Sequence, residues 1–385
     1  MGAERADTLI VFVPGYTEQG PGVHLRGYVR WAIDTAPQLP TWPRPDTVEE
    51  RSFAGYSGLR YTVKDPQPRH VDIVEVPWDA RVGKLTGQPP ALRIPRAASL
   101  LWINFISGVR VLGISPGYAL ASGLALVLML LWFWLLISST AAGIAAATQK
   151  NAPGSLSLAF VPGWLHSLWQ LLQPNGWLYL GPAIAVVLLT AWKIDPGMIA
   201  NIADLYDRFT HDGPEPESYV TTRSDVVNSV RDAVKATADA SYGRIVLVGH
   251  SFGALIACAA APELDLPETM APIELVTVGT YFAYLDKLDG ANMARLFDGV
   301  LTSKVIRWTD FFAKKDWLAS NNDYWQTFKR RRKRGDQAPA HEQQRYIGTP
   351  VGSTWNVTFM DKLKTTTHRY YFKDPEVLRV IFAAP

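Results

Sequence analysis

Apolar residues along this chain fall into short runs separated by polar loops, a pattern that predicts buried strands alternating with amphipathic helices. In the first hundred residues, Thr8 to Val13, Leu59 to Val63 and Val71 to Val76 read as strands. Tyr28 to Ala36 reads as a helix, and Leu39 to Gly58, rich in Pro, Arg and Glu, as a loop. Ile245 to Val248, Ile273 to Val278 and Lys304 to Trp308 read as three further strands, and Trp355 to Phe359 as a late one. A run such as TLIVFV, apolar at successive positions, belongs inside a parallel sheet, where both faces are covered. Helical spacing follows Thr222: Val226, Val227, Val230, Ala233, Val234 and Ala238 share one face, with Arg231, Asp232 and Lys235 opposite. Met198 to Phe209, Ala254 to Ala261 and Asp374 to Phe382 read as further helices. The αβ alternation after residue 224 predicts a parallel sheet covered by helices.

The middle of the chain breaks this pattern. Between Arg110 and Lys193 the only Lys, Arg, Asp or Glu is Lys150. Ala97 to Ile114 is apolar but carries Arg110, and reads as an approach along a membrane interface. Tyr118 to Ala147 holds GLALVLMLLWFWLLISSTAAGIAA, longer than the roughly 20 residues that cross a bilayer core. Trp177 to Trp192 is a second, shorter candidate, and Leu156 to Gln173 reads as interfacial. Half of the 14 tryptophans fall between residues 98 and 195, the distribution of an aromatic belt. The expectation is a transmembrane helical hairpin, with spans of about 118–147 and 177–192, inserted as residues 97–195 between 1–96 and 196–385.

Composition adds limits. A net charge of +3 is too small to imply nucleic acid. A single cysteine, Cys258, excludes an intrachain disulfide. The opening MGAERADTLIVFVPG reads as a strand after acidic residues, not as a secretory signal. No motif for a metal or cofactor is read.

The candidate chemistry centres on Arg244 to Ala257, RIVLVGHSFGALIA. A buried strand ends in Gly249, His250-Ser251-Phe252-Gly253 makes a corner, and a small-residue helix follows. This is G-x-S-x-G between a strand and a helix, the context in which a serine is exposed on a strained turn. Side chains at Gly249 or Gly253 would crowd the crossing, and the helix N-terminus offers unpaired N–H groups to a developing negative charge.

GHSFG after IVLV resembles the α/β-hydrolase superfamily, in its lipase and esterase branch, and the resemblance covers most of the chain outside residues 98–195. It implies an α/β-hydrolase fold, a mostly parallel sheet flanked by helices, interrupted here by the transmembrane hairpin. It also implies Ser251 as nucleophile and an oxyanion hole formed by the N–H groups of Tyr16, in VFVPGYTEQG, and Phe252. The family's chain order is Ser, acid, His. That order leaves His341 and His368, and TTTHRYYFKDPEVLRVI is similar to the family's H-x-x-Y-x-x-D-P-x-V ending, which implies His368 as base. VIRWTDFFAKKDWLAS offers Asp310 and Asp316 past the strand at Lys304 to Trp308. Asp316, followed by Trp317 and Leu318, fits the family's pattern better, with Asp310 as runner-up and Asp323 third.

Neither 1–96 nor 196–385 holds a complete sheet, so both must lie on one side of a membrane and the number of spans is even. Arg81, Lys84, Arg93, Arg96 and Arg110 precede the spans and Lys193 follows them, which by the positive-inside rule puts the hydrolase domain and both termini in the cytoplasm. The basic run Lys329, Arg330, Arg331, Arg332, Lys333, Arg334 is a solvated loop or a contact for anionic lipids. Three functions fit this reading: a membrane-anchored serine hydrolase acting on an ester or thioester of a lipid or lipophilic acyl compound, an acyltransferase using the same residues, or a non-catalytic membrane scaffold that retains the fold.

Overall fold

A computed structural model describes residues 8–16, 24–27, 47–63, 69–81, 90–110, 220–239, 241–316, 346–353, 355–358 and 366–382, together with Ala319 and helical residues at 204–207, at 209 and scattered between 119 and 134. The expected helix at Tyr28 to Ala36, the span at 177–192, the interfacial segment at 156–173, the basic run, Asp323 and His341 lie outside the described residues.

Eight strands form one sheet in the order β2-β3-β4-β1-β5-β6-β7-β8. They are β1 (Thr8–Val13), β2 (Thr47–Phe53), β3 (Tyr56–Val63), β4 (Arg69–Glu75), β5 (Arg244–His250), β6 (Ile273–Val278), β7 (Val305–Phe312) and β8 (Tyr346–Pro350). From β4 to β8 all pairs are parallel, while β2 and β3 join antiparallel at one edge. β1 lies between β4 and β5, so strands from both ends of the chain share a single sheet. β1, β5 and β6 are buried at every position, as their unbroken apolar runs require.

Helices cover the sheet. The described ones are α1 (Pro90–Arg110), α2 (Val220–Thr237), α3 (Phe252–Ala260), α4 (Phe282–Leu288), α5 (Gly290–Thr302) and α6 (Pro375–Ile381). The apolar face read in α2 is its buried face: Val226, Val227, Val230, Ala233 and Val234 are all in the core. On the other side of the sheet, Val246, Val248, Val276 and Val278 pack with Phe372, Val377 and Ile381 from the C-terminal segment. Arg244 ties that segment to the start of β5, donating to Glu274 and to the carbonyls of Val380 and Ile381.

Three expectations need correction. Residues 47–53, read as loop, form β2, an edge strand exposed almost throughout, so no buried face marked it. β7 continues to Phe312, well past Trp308, which places Asp310 inside a strand and not beyond it. The last strand among the described residues is Tyr346–Pro350, and Trp355 to Thr358 are irregular. Of Ala97 to Ile114, the stretch read as an approach along a membrane interface, residues 97–110 are helical and belong to α1.

α1 is fixed to the domain at Arg96, which pairs with Asp204 at 3.1 Å and with Asp207 at 2.5 Å. Beyond that point it exposes Trp102, Ile103, Ile106 and Val109. Its Phe105 ring faces Gly123 of the next helical stretch, 3.7 Å from where a Cβ would stand, and that stretch exposes Leu120, Val127 and Leu130. Among the described residues no helix is long and apolar enough to cross a membrane.

Candidate active site

Ser251 sits between the end of β5 and the start of α3 with φ 56° and ψ −124°, a left-handed conformation that costs a non-glycine residue energy. Packing around the corner holds it there. The Ser251 N–H donates to the Val278 carbonyl at 2.9 Å, and the whole of α3 behind it is buried. A Cβ at Gly249 would come 2.5 Å from the Ala254 Cα, and one at Gly253 2.2 Å from the Val13 carbonyl oxygen, so the turn tolerates only glycine at both. The Ala254 N–H donates to the Ser251 carbonyl at 3.1 Å, and the N–H groups of the first turn of α3 point toward the serine end of the helix.

The loop after β1 closes on the same point. A Cβ at Gly15 would lie 2.9 Å from the Ser251 Cβ. Trp78, wholly buried at the start of the 3-10 helix Trp78–Arg81 that follows β4, fixes this loop by donating its indole N–H to the Pro14 carbonyl at 2.8 Å. Tyr16, half-buried, lies next to Trp78, and Trp78 lies against Phe252, with ring centroids 6.3 and 5.6 Å apart. The loop's contact with the Ser251 corner is thus through Gly15, with Tyr16 tilted against Trp78.

From the opposite side, the 3-10 helix Thr366–Lys373 brings His368 to the C-terminal end of the sheet. Its Nδ1 lies 2.7 Å from the Asp316 Oδ2. A carboxylate only accepts, so Nδ1 carries the hydrogen and Nε2 the lone pair. That Nε2 is buried and has no hydrogen-bond partner among the described residues. The ring lies against Gly279, whose φ of 63° and bare Cα make room for it: a Cβ would come 3.0 Å from the His368 Cε1. Gly279 directly follows Val278, the acceptor of the Ser251 N–H, so His368 and Ser251 both border the Val278–Gly279 turn.

The two candidate acids occupy different places. Asp316 is buried at the turn after β7 and pairs with His368. Tyr371 is buried beside it, and that burial, followed by the Asp316 charge, pushes its phenol well above the usual range. Asp310 is engaged within the sheet: it accepts from Thr277 at 2.7 Å, Thr280 at 3.1 Å and Tyr346 at 3.1 Å. The structure therefore brings Ser251, Asp316 and His368 to one end of the sheet and assigns Asp310 to a cross-strand network.

A family profile described as the alpha/beta hydrolase family matches residues 158–377, more than half of the chain. The chain belongs to the alpha/beta hydrolase family. Members of that family are generally hydrolytic enzymes, and the match runs from before the strained serine to past the 3-10 helix that carries His368. No curated protein and no solved structure matches the chain.

Three neighbours of this hydrolase's site were not read from the sequence as site residues. His250 is buried against His368: the ring centroids are 4.9 Å apart, and the His250 Nε2 donates to the His368 carbonyl at 2.9 Å. Burial, and then the second imidazole, hold its pKa well below the ordinary value, so it is neutral. His24 is lowered to about 4 by burial and then by Arg369. Trp78 is the third, and its signal was a tryptophan immediately after an apolar strand. Cys258, behind the serine in α3, is fully buried, which pushes its thiol up and leaves it unreactive.

Proposed function

We propose that this chain is a membrane-anchored serine hydrolase that cleaves an ester or thioester bond of a lipid or lipophilic acyl substrate through an acyl-enzyme on Ser251. The observation that carries the proposal is the buried His368–Asp316 pair, whose ring lies against Gly279, the residue after the acceptor of the Ser251 N–H, with Ser251 itself held in strained backbone. In this reading Nε2 takes the Ser251 proton as Oγ attacks the acyl carbon. Asp316 holds the imidazole tautomer and stabilises the imidazolium that forms. The carbonyl oxygen becomes an oxyanion facing the first-turn N–H of Phe252 and the Tyr16 N–H on the Gly15 loop. The imidazolium then gives its proton to the departing alkoxide or thiolate. Water repeats the sequence on the acyl-enzyme and releases the acid.

Membrane anchoring rests on the long stretch whose only charge is Lys150 and on the apolar residues that α1 and its neighbouring helix expose. The proposed arrangement has spans near 118–147 and 177–192, with the hydrolase domain and both termini in the cytoplasm. Lys329, Arg330, Arg331, Arg332, Lys333 and Arg334 are the proposed contact for anionic lipids. Replacing Ser251 by Ala tests the chemistry. Hydrolysis of a short p-nitrophenyl ester by the detergent-solubilised full chain should fall by several orders of magnitude. Near-normal turnover would refute the proposal, and appearance of an acylated alcohol in place of free acid, when an alcohol is supplied, would make the chain an acyltransferase.

A further inference from the structure

We infer that His250 is a positioning residue for His368: its Nε2–H, bonded to the His368 carbonyl, fixes the backbone from which the base projects. The inference rests on the reading of Ser251, Asp316 and His368 given above, and extends it to a residue outside that set.

The geometry is specific. His250 is 3% exposed. It is the last residue of β5, so its own backbone is set by the sheet and is continuous with Ser251. Its Nε2 lies 2.9 Å from the His368 oxygen, and a carbonyl can only accept, so Nε2 is the protonated nitrogen. The other nitrogen, Nδ1, points to the loop after β1, where a Cβ at Gly15 would stand 3.4 Å from it. Phe372 closes the edge of the ring at 5.3 Å and 73°. One imidazole thus touches the three chain segments that the proposed reaction must hold in register: the serine corner, the loop after β1 and the 3-10 helix of the base.

The need for such a contact follows from the elements. Asp316 fixes Nδ1 of His368 but not the position of its Cα. His368 sits on a 3-10 helix, whose hydrogen bonds have poorer geometry than those of an α-helix. A contact from the sheet to the backbone oxygen of the same residue supplies the second point of attachment. A neutral ring is also required at this place, because His368 becomes an imidazolium during turnover and the ring centroids are only 4.9 Å apart.

The test compares His250→Leu, which keeps an apolar side chain of similar bulk, with His250→Gln, whose amide N–H reaches about as far as Nε2–H. Both are assayed as the full chain in detergent on a short p-nitrophenyl ester, with kcat, KM and Tm measured. The Leu variant should lose about 10- to 100-fold in kcat with KM within about twofold, since small misplacements of a catalytic group have effects of that size. The Gln variant should recover most of that loss at a similar Tm. A Leu variant with wild-type kcat overturns the inference, and so does a Gln variant as impaired as Leu while equally stable. If Leu prevents folding, His250→Asn takes its place: its shorter amide cannot reach the carbonyl, so activity equal to that of Gln overturns the inference. Ser251→Ala, run alongside, separates the two claims. Turnover that survives that substitution removes the reading of the site itself, whereas its loss together with an unimpaired Leu variant removes only the role of His250.

Discussion

Two aspartates six residues apart have different environments, and the difference predicts different failures. Asp310 accepts from three hydroxyls inside the sheet, one of them Thr277, which in turn accepts from the Trp308 indole. Asp310→Asn should therefore act on stability, by roughly 1–3 kcal/mol for a disturbed buried network, and little on kcat of the folded fraction. Asp316→Asn leaves folding largely intact but lets the imidazole adopt the wrong tautomer, and kcat should fall by about 10³- to 10⁴-fold. Denaturant midpoints and kcat on the same preparations check both. A kcat loss confined to the Asp310 variant would exchange the two roles. Ser251 was legible in the sequence because its motif is local: strand, corner and helix all fall within fourteen residues. Asp316 and His368 lie 52 residues apart, so the sequence alone left Asp310 open, and their pairing appears only in the 2.7 Å contact. The contact from His250 to a residue 118 positions away had no local signal at all.

At the scale of elements, legibility followed burial. β1, β5 and β6 are covered on both faces and appear in the sequence as unbroken apolar runs. β2 is solvated on both faces, so TVEERSF carries no periodicity and reads as loop, yet its backbone pairs with β3 from Thr47 to Phe53. The end of β7 was missed for a related reason. Thr309 and Asp310 interrupt the apolar run but are buried, the Asp310 carboxylate being satisfied by the hydroxyls of Thr277, Thr280 and Tyr346. The basic segment 329–334 has its own test. Replacing its six residues with Gln or Ser should lower activity on anionic lipid vesicles at low salt, with the deficit fading as salt rises, and leave a short soluble ester unaffected. An equal drop on both substrates would assign the segment a structural role, and no drop on either would leave it a solvated loop.

The whole molecule is constrained by the position of β1. It pairs with β4 on one side and with β5 on the other, so the residues before and after the apolar middle stretch build one sheet and must occupy one side of any membrane the chain meets. Reporter fusions at the two termini should therefore agree, and in the proposed topology both report the cytoplasm while an insertion at 150–156 reports the opposite face. Termini on opposite sides would mean an odd number of spans and contradict the shared sheet, and 150–156 on the cytoplasmic side would replace the proposed pair of spans by another arrangement. The central claim is that Ser251 is a nucleophile activated by His368. The measurement closest to it is labelling of the full chain by a serine-directed fluorophosphonate, with the adduct located by peptide mass spectrometry. The account predicts a single adduct on Ser251, lost on prior denaturation and slowed by roughly 10³-fold or more in His368→Ala. An adduct elsewhere, or labelling of Ser251 at an undiminished rate in that variant, would contradict it.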